Sequence, residues 1–159
     1  MYKFTIHTDG GSRGNPGPAA IGVVIEWPIP RQDLGKSSQV LSGKVAKHEY
    51  AEHIGVTTNN VAEYQAVIFA LKKLKQLIGN KKAGEAHVVF YMDSELLIKQ
   101  FNHEYKVKEE NIQKLFLEVH NLRLDFGKVE FKHVLRGNNI EADRLVNEVL
   151  DREANKLNL

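Results

Sequence analysis

An α/β fold, with a mixed sheet and helices packed on it, is predicted by three observations. Lys3–Thr8 alternates apolar and polar residues and is rich in β-formers, and Ala20–Trp27 is a second strand-like run. Val61–Ile78 carries Ala66, Val67, Ala70, Leu71, Leu74, Leu77 and Ile78 on one helical stripe. After that helix, strand-like and helix-like segments alternate, giving the order βββ-α-β-α-α-β-α.

The elements follow in turn. Gly10 and Gly11 break the first strand, and Pro16 and Pro18 punctuate a tight turn that makes a hairpin with the second. Residues 28–47 are polar and contain Pro28, Pro30, Gly35 and Gly43, which predicts a long loop or partly extended insertion. His48–Val56 is a weaker third strand. Asn59 or Asn60 caps the helix beginning at Val61, and Gly79 ends it. His87–Met92 is a strand and Ser94–Phe101 a short helix. Glu109–Phe126 is a helix with Ile112, Leu115, Phe116, Val119 and Leu122 inward. Lys128–Leu135 is a strand, and Ile140–Leu157 a final helix with Val146, Val149 and Leu150 inward. No repeat or linker divides the chain, so residues 1–159 are expected to form one domain.

Composition narrows the function classes. The chain has 42% hydrophobic and 26% charged residues and no cysteine, which is globular composition without disulfides or thiolate metal sites. The N-terminal stretch lacks a signal-peptide core and no apolar run spans a bilayer, so a cytoplasmic, membrane-free protein is expected. A net charge of +2 permits nucleic-acid binding without arguing for it.

The informative residues are acids in disfavoured places. Asp9 and Asp93 end apolar strands, while Glu63 and Asp143 sit at the head of the apolar stripes of two helices. A lone carboxylate on a buried face costs several kcal/mol unless something compensates it. Each has a local explanation: Asn60 and Glu63 fit a capping box, Asp93 can cap the next helix, Asp9 can serve a turn, and Asp143 can face a helix dipole. Together, however, strand ends and helix starts can meet at one sheet edge. Four converging carboxylates need a cation, and an oxygen-only ligand set suits Mg²⁺ or Mn²⁺. Two such ions would suit in-line phosphodiester cleavage.

Other motifs carry less. His48, Glu49 and His53 are spaced one residue too far for a zinc-protease helix, and their neighbours favour a strand. His7, His87 and His133 fall in strands and read as core or edge histidines. Neither a P-loop nor a dinucleotide-binding glycine motif is present.

The segments TDGGSRGNPGPAAIGVVI, TNNVAEYQAVIFAL, MDSELLIKQF and RGNNIEADRLVN each hold one of the four acids, in order and at sensible spacing. In these segments, and over nearly its whole length, the chain resembles the type 1 ribonucleases H, closest to the compact branch without a basic protrusion. The resemblance implies a five-stranded mixed sheet flanked by helices, and a metal-dependent endonuclease that cuts the RNA strand of RNA–DNA hybrids. It makes Asp9, Glu63, Asp93 and Asp143 the metal-binding catalytic acids for two Mg²⁺ ions, with Mn²⁺ as a substitute. Products would carry 5′-phosphate and 3′-hydroxyl ends. It also implies substrate contacts from Gly10, Gly11, Ser12, Asn15, Thr58, Asn59, Asn60 and Ser94, with 2′-hydroxyl contacts distinguishing RNA from DNA. The partner is the hybrid; no small-molecule cofactor is implied, and the oligomeric state stays open.

The chain departs from the better-known bacterial pattern in three ways. No histidine lies between Leu135 and Asp143, and Arg136 takes that place. Only Lys106 and Lys108 stand where a basic protrusion would begin. Residues 28–47 are longer than the compact branch needs. Two other readings compete: a nuclease of the same fold acting on double-stranded RNA or DNA, and a hybrid-binding module without catalysis. The four intact acids argue against the latter.

Overall fold

The computed structural model describes residues 2–29 and 45–157, so most of the predicted 28–47 insertion lies outside the described residues. The elements are β1 (Tyr2–Ser12), β2 (Gly17–Pro28), β3 (Val45–Thr57), α1 (Asn59–Gly84), β4 (Ala86–Met92), α2 (Glu95–Phe101), α3 (Glu110–Arg123), β5 (Lys128–His133) and α4 (Ile140–Leu157). Their order is the one the sequence predicts.

The strands form one five-stranded sheet in the order β3-β2-β1-β4-β5. β1 and β2, and β2 and β3, are antiparallel, whereas β1, β4 and β5 run parallel. The sheet is therefore mixed, as expected. Its parallel half places the C-terminal ends of β1 and β4 at the same edge. The register pairs His7 with Tyr91, so Asp9 and Asp93, each two residues further on, leave that edge side by side.

Several boundaries differ from the sequence reading, and in each case long-range pairing or a local turn explains the difference. β1 does not break at Gly10 but continues to Ser12, because its ladder with β2 runs on to the pair Ser12–Ala19. The turn is confined to residues 13–16 and is closed by the Arg13 N–H donating to the Pro18 carbonyl at 2.9 Å. β3 is longer than predicted. It pairs with β2 from Gly17–Thr57 to Pro28–Val45, which draws both ends of the presumed insertion into the sheet. Thr58, not Asn59 or Asn60, caps α1; its Oγ1 accepts from the Val61 N–H at 3.3 Å. The capping-box position is thus Val61, and Glu63 lies two residues beyond it. At Gly79 the backbone leaves helical values (φ 82°, ψ 165°), but helix resumes and runs to Gly84. Leu77, expected inward, is exposed just before this break. α3 stops at Arg123 and β5 at His133, both short of their predicted ends.

The core lies mainly between the sheet and α1, α2 and α3. Phe4 and Ile6 of β1, and Ile21, Val23 and Ile25 of β2, pack there against Ala66, Val67, Ala70, Leu71 and Leu74 of α1. Phe90, Phe101 and Phe131 extend this core toward β5, with centroids of 5.1 Å between Phe90 and Phe131 and 4.5 Å between Phe101 and Phe131. A smaller cluster of Ala20, Val146, Val149 and Leu150 joins α4 to the sheet. The two helices that carry acids, α1 and α4, therefore belong to different packing layers.

Candidate active site and metal centre

Two glycines allow both layers to close on Asp9. A Cβ on Gly10 would lie 2.3 Å from the Ala62 carbonyl carbon and 2.5 Å from the Glu63 backbone nitrogen. The first turns of α1 thus rest directly on β1, one residue from Asp9. A Cβ on Gly22, the register partner of Asp9, would lie 2.4 Å from the Ala142 carbonyl oxygen. This brings α4 down beside the same residue and Asp143 with it. The close approaches are possible because glycine leaves the backbone uncovered.

The four predicted acids line one groove of about 430 Å³, together with Gly10, Gly11, Ser12, Asn59, Asn60 and Arg136. Carboxylate oxygens of Asp9, Glu63 and Asp93 lie within 4.8 Å of one another. Asp143 falls outside that trio, although it faces the same groove, and Asn147 donates to its Oδ2 at 3.3 Å. The trio is electrostatically expensive without a cation. Burial, then the charges of Asp93, Asp143 and Glu63, push the Asp9 carboxyl up to about 8, against a small opposing pull from the Gly10 N–H. Burial pushes Glu63 up to about 7, opposed first by the Ser94 hydroxyl. Burial also raises Asp93, with Arg136 pulling it back.

These groups suit a hard divalent cation. Asp93 Oδ2 is buried with no hydrogen-bond partner, although Arg136 Nε lies 3.9 Å away. A distance of 3.9 Å is an ion pair rather than a hydrogen bond. An orphaned, buried carboxylate oxygen aimed among two other carboxylates is the donor arrangement that an oxygen-preferring metal satisfies. Magnesium-class chemistry therefore fits the residues present.

The polar residues divide by how they are occupied. The Asn59 Oδ1 accepts from Ser12 N at 2.8 Å and from Ser12 Oγ at 3.1 Å. The Asn59 N–H in turn donates to Asn15 Oδ1 at 3.1 Å. The carbonyl ends of both asparagines thus brace the hairpin turn against α1, and each retains an NH₂ group as its donor toward a ligand. Gly10 N–H donates to Asp9 Oδ1 at 3.0 Å, so neither it nor Ser12 N–H is left for a ligand. Gly11 and Asn60 line the groove. Thr58 Oγ1 accepts from the helix, leaving its hydroxyl hydrogen to donate. Ser94 is both the cap of α2, accepting from Leu97 N at 3.4 Å, and the hydroxyl beside Glu63. Asp93 is consequently not the cap that its position suggested.

Arg136 begins a short 3₁₀ turn, Arg136–Asn138, and is 83% exposed at the groove. The residue that sequence reasoning missed is Asn139. Within a segment read as pliable, it is buried. Its Nδ2 donates to the Thr8 carbonyl at 2.9 Å, and its own carbonyl accepts from Asp143 N at 3.2 Å. One residue, through its side-chain amide on one side and its backbone carbonyl on the other, therefore ties the strand carrying Asp9 to the helix carrying Asp143. The hint in the sequence was an asparagine one residue before a helix start, where capping residues gather.

The histidines take structural places. His7 stacks on Tyr91 at 5.2 Å, and burial holds it below its ordinary value. His87 pairs with Glu130 at 2.5 Å across β4 and β5. His48 and His53 lie on strand β3, not on a helix.

A mixed five-stranded sheet with a carboxylate trio at the shared end of two parallel strands defines the class, and comparison with known proteins agrees. Residues 7–149 match the reverse transcriptase-like family. The chain is 34% identical over 143 residues to a ribonuclease HI of Halobacterium salinarum, covering 90% of this chain and 62% of that protein. It is 36% identical over 152 residues to the bifunctional protein Rv2228c of Mycobacterium tuberculosis, covering 96% of this chain and 36% of that protein. The chain thus spans about a third of the length of the mycobacterial relatives it matches. Among solved structures, LC11-RNase H1 in complex with an RNA/DNA hybrid superposes with a TM-score of 0.78 at 39% identity, covering 95% of this chain and 99% of that one. The N-terminal RNase H domain of Rv2228c gives 0.77 at 34% identity, covering 99% of both chains. The chain belongs to the reverse transcriptase-like family and, within it, to the type 1 ribonucleases H.

Proposed function

We propose that this protein is an endoribonuclease that hydrolyses the RNA strand of RNA–DNA hybrids with two Mg²⁺ ions, leaving 5′-phosphate and 3′-hydroxyl ends. The observation that carries this reading is the trio of Asp9, Glu63 and Asp93 oxygens within 4.8 Å, with Asp93 Oδ2 buried and unpartnered. Asp9, Glu63, Asp93 and Asp143 would hold the ions. When bound, such ions neutralise the acids and supply Lewis-acid and water-activating chemistry for in-line phosphodiester hydrolysis.

The chain's own residues supply orientation and selection. The asparagine NH₂ groups at Asn15 and Asn59, on the face beside Asp9, would donate to the minor-groove side of the hybrid, where 2′-hydroxyls mark the RNA strand. Thr58 and Asn60 flank them, and Gly11 leaves the strand backbone open toward the groove, whereas Gly10 is covered by α1 and serves to seat Glu63 beside Asp9. Arg136, drawn toward Asp93, would hold the scissile or an adjacent phosphate. It cannot relay protons, because a guanidinium stays charged at any working pH. Among the described residues, no helix is long and apolar enough to cross a membrane. A cytoplasmic, nucleic-acid partner fits this reading.

The test is cleavage of labelled hybrid, double-stranded RNA and duplex DNA with Mg²⁺, Mn²⁺ or chelator. A polar group that loses its partner at the site costs about 1–3 kcal/mol, so several lost 2′-hydroxyl contacts should make hybrid the far faster substrate than DNA. Comparable rates on hybrid and DNA would favour a nuclease of different specificity, and turnover in excess chelator would overturn the metal reading.

A further inference from the structure

We propose that Arg13 is a phosphate-binding residue for the hybrid, held by Asp151 in the free protein and transferred to the nucleic acid on binding. This rests on the groove being a hybrid-binding groove. Arg13 and Arg136 are the only cations among the described residues lining it, against four acids. A polyanion that approaches four carboxylates needs cationic contacts to either side of them. Arg136 serves the Asp93 end, and Arg13 stands at the hairpin end.

The base of Arg13 is fixed while its tip is exchangeable. Its N–H donates to the Pro18 carbonyl at 2.9 Å, and Ser12 before it is held by Asn59. A Cβ on Gly17 would lie 2.1 Å from the Arg13 carbonyl oxygen, so the turn is closed tightly beneath it. The side chain is 44% exposed, and its guanidinium meets Asp151 through a single nitrogen, Nη2 to Oδ1 at 2.5 Å. A phosphate can instead take two parallel N–H donors of the same fork. The exposed pair with Asp151 offers little resistance to that exchange.

The position of Asp151 gives the register. Asp143, Asn147 and Asp151 are spaced four residues apart on α4 and so form one stripe; Asp143 and Asn147 line the groove, and Asp151 follows one turn beyond, where it meets Arg13. Eight residues of helix span about 12 Å, which places Arg13 roughly three to four nucleotide steps from the phosphate at the acids. Arg13 therefore adds affinity remote from the chemistry, and Asp151 opposes it twice, by holding the guanidinium and by repelling the incoming phosphate.

The experiment measures binding of a fluorescent hybrid by anisotropy in chelator over a range of KCl, and cleavage in Mg²⁺ separately. Arg13→Ala should weaken binding about five- to tenfold at low salt and lower the slope of log affinity against log salt by about one. kcat at saturating hybrid should stay within about twofold, because remote contacts act on ground state and transition state alike. Arg13→Lys should keep the slope. Asp151→Asn should tighten binding about two- to fivefold, the range of an exposed ion pair, and most of that gain should vanish when Arg13 is alanine. An unchanged slope in Arg13→Ala, in a protein that still cuts hybrid, overturns the Arg13 assignment alone. A full Asp151→Asn gain without Arg13 overturns the exchange. Hybrid binding without cleavage in Mg²⁺ overturns the enzymatic reading while the slopes still decide Arg13, and absence of hybrid binding by the wild type overturns both.

Discussion

Two regions of this molecule concentrate charge, and they do so in opposite ways. In the groove, Asp9, Glu63 and Asp93 bring charges of one sign together in partly buried positions, and burial, followed by repulsion among the four acids, raises all three carboxyls. Where α4 crosses β3, signs alternate: Lys47 pairs with Glu141 and Glu49, and Arg144 with Glu49 at 3.1 Å and Glu148 at 2.7 Å. That network is exposed and locally neutralised, so it costs little and adds little. The groove is costly unless a cation arrives. A protein keeps such an arrangement only where something other than the folded chain completes it, which is how the contrast separates a working site from a solvated face.

The sharpest way to break the contrast is to remove one groove acid. Asp93→Asn should lower hybrid cleavage by a factor of about 10³ or more, equivalent to at least ~4 kcal/mol of barrier, while the far-ultraviolet circular dichroism stays unchanged. Near-normal turnover in this variant would remove the metal assignment.

Arg136→Ala comes next. It should slow turnover about ten- to a hundredfold, or ~1.4–2.7 kcal/mol, because in the proposed reading Arg136 would contact the phosphate while the acids would still hold the ions. Calorimetric Mg²⁺ binding should survive in this variant. Equal single-turnover rates for variant and wild type would return Arg136 to a solvated turn residue, and a loss matching Asp93→Asn would give it a larger role than phosphate contact.

The third effect is on stability. Asp9 is raised from 3.8 to about 8 and Glu63 from 4.5 to about 7, so between roughly pH 4 and 8 the folded state binds more protons than the unfolded chain. Raising the pH through that window must therefore destabilise the metal-free protein. In chelator the wild type should melt at a lower temperature at pH 8 than at pH 5. Asp9→Asn should flatten this dependence and melt above the wild type at pH 8, by roughly 2–4 °C per kcal/mol of repulsion relieved. A pH-independent melting temperature for the wild type would show that the acids are not in mutual conflict.

The smallest effect belongs to the other region. Arg144→Ala should cost under about 1 kcal/mol in chemical denaturation, and 0.5 M salt should shrink that difference further. A cost of several kcal/mol would mean that the β3–α4 network is a structural keystone, and the contrast with the groove would fail.

Much of this was present in the order of residues alone. The alternation of β1, the apolar stripe of α1 and the patterns of α3 and α4 are local periodicities, so the element order follows from neighbours in the chain. The four acids were visible because each stands where apolar residues should continue, a conflict that needs no coordinates to notice. What the chain order does not contain is distance between segments. β1 runs through Gly10 and Gly11 to Ser12 because β2 lies beside it, and the ends of the presumed insertion join the sheet because β2 and β3 are paired along their length. Thr58 caps α1 because its hydroxyl happens to reach Val61 N, a choice among three adjacent polar residues that propensity does not resolve. Gly10 and Gly22 look like ordinary strand glycines until Ala62 and Ala142 are seen resting on them. Asn139 looks like loop until its amide is found on the carbonyl of Thr8, 131 residues away. Residue types and local pattern thus determined the elements and the kind of chemistry. The tertiary structure decided which acids converge and how tightly, because packing two helices onto one strand edge is a relation between distant segments that no local pattern encodes.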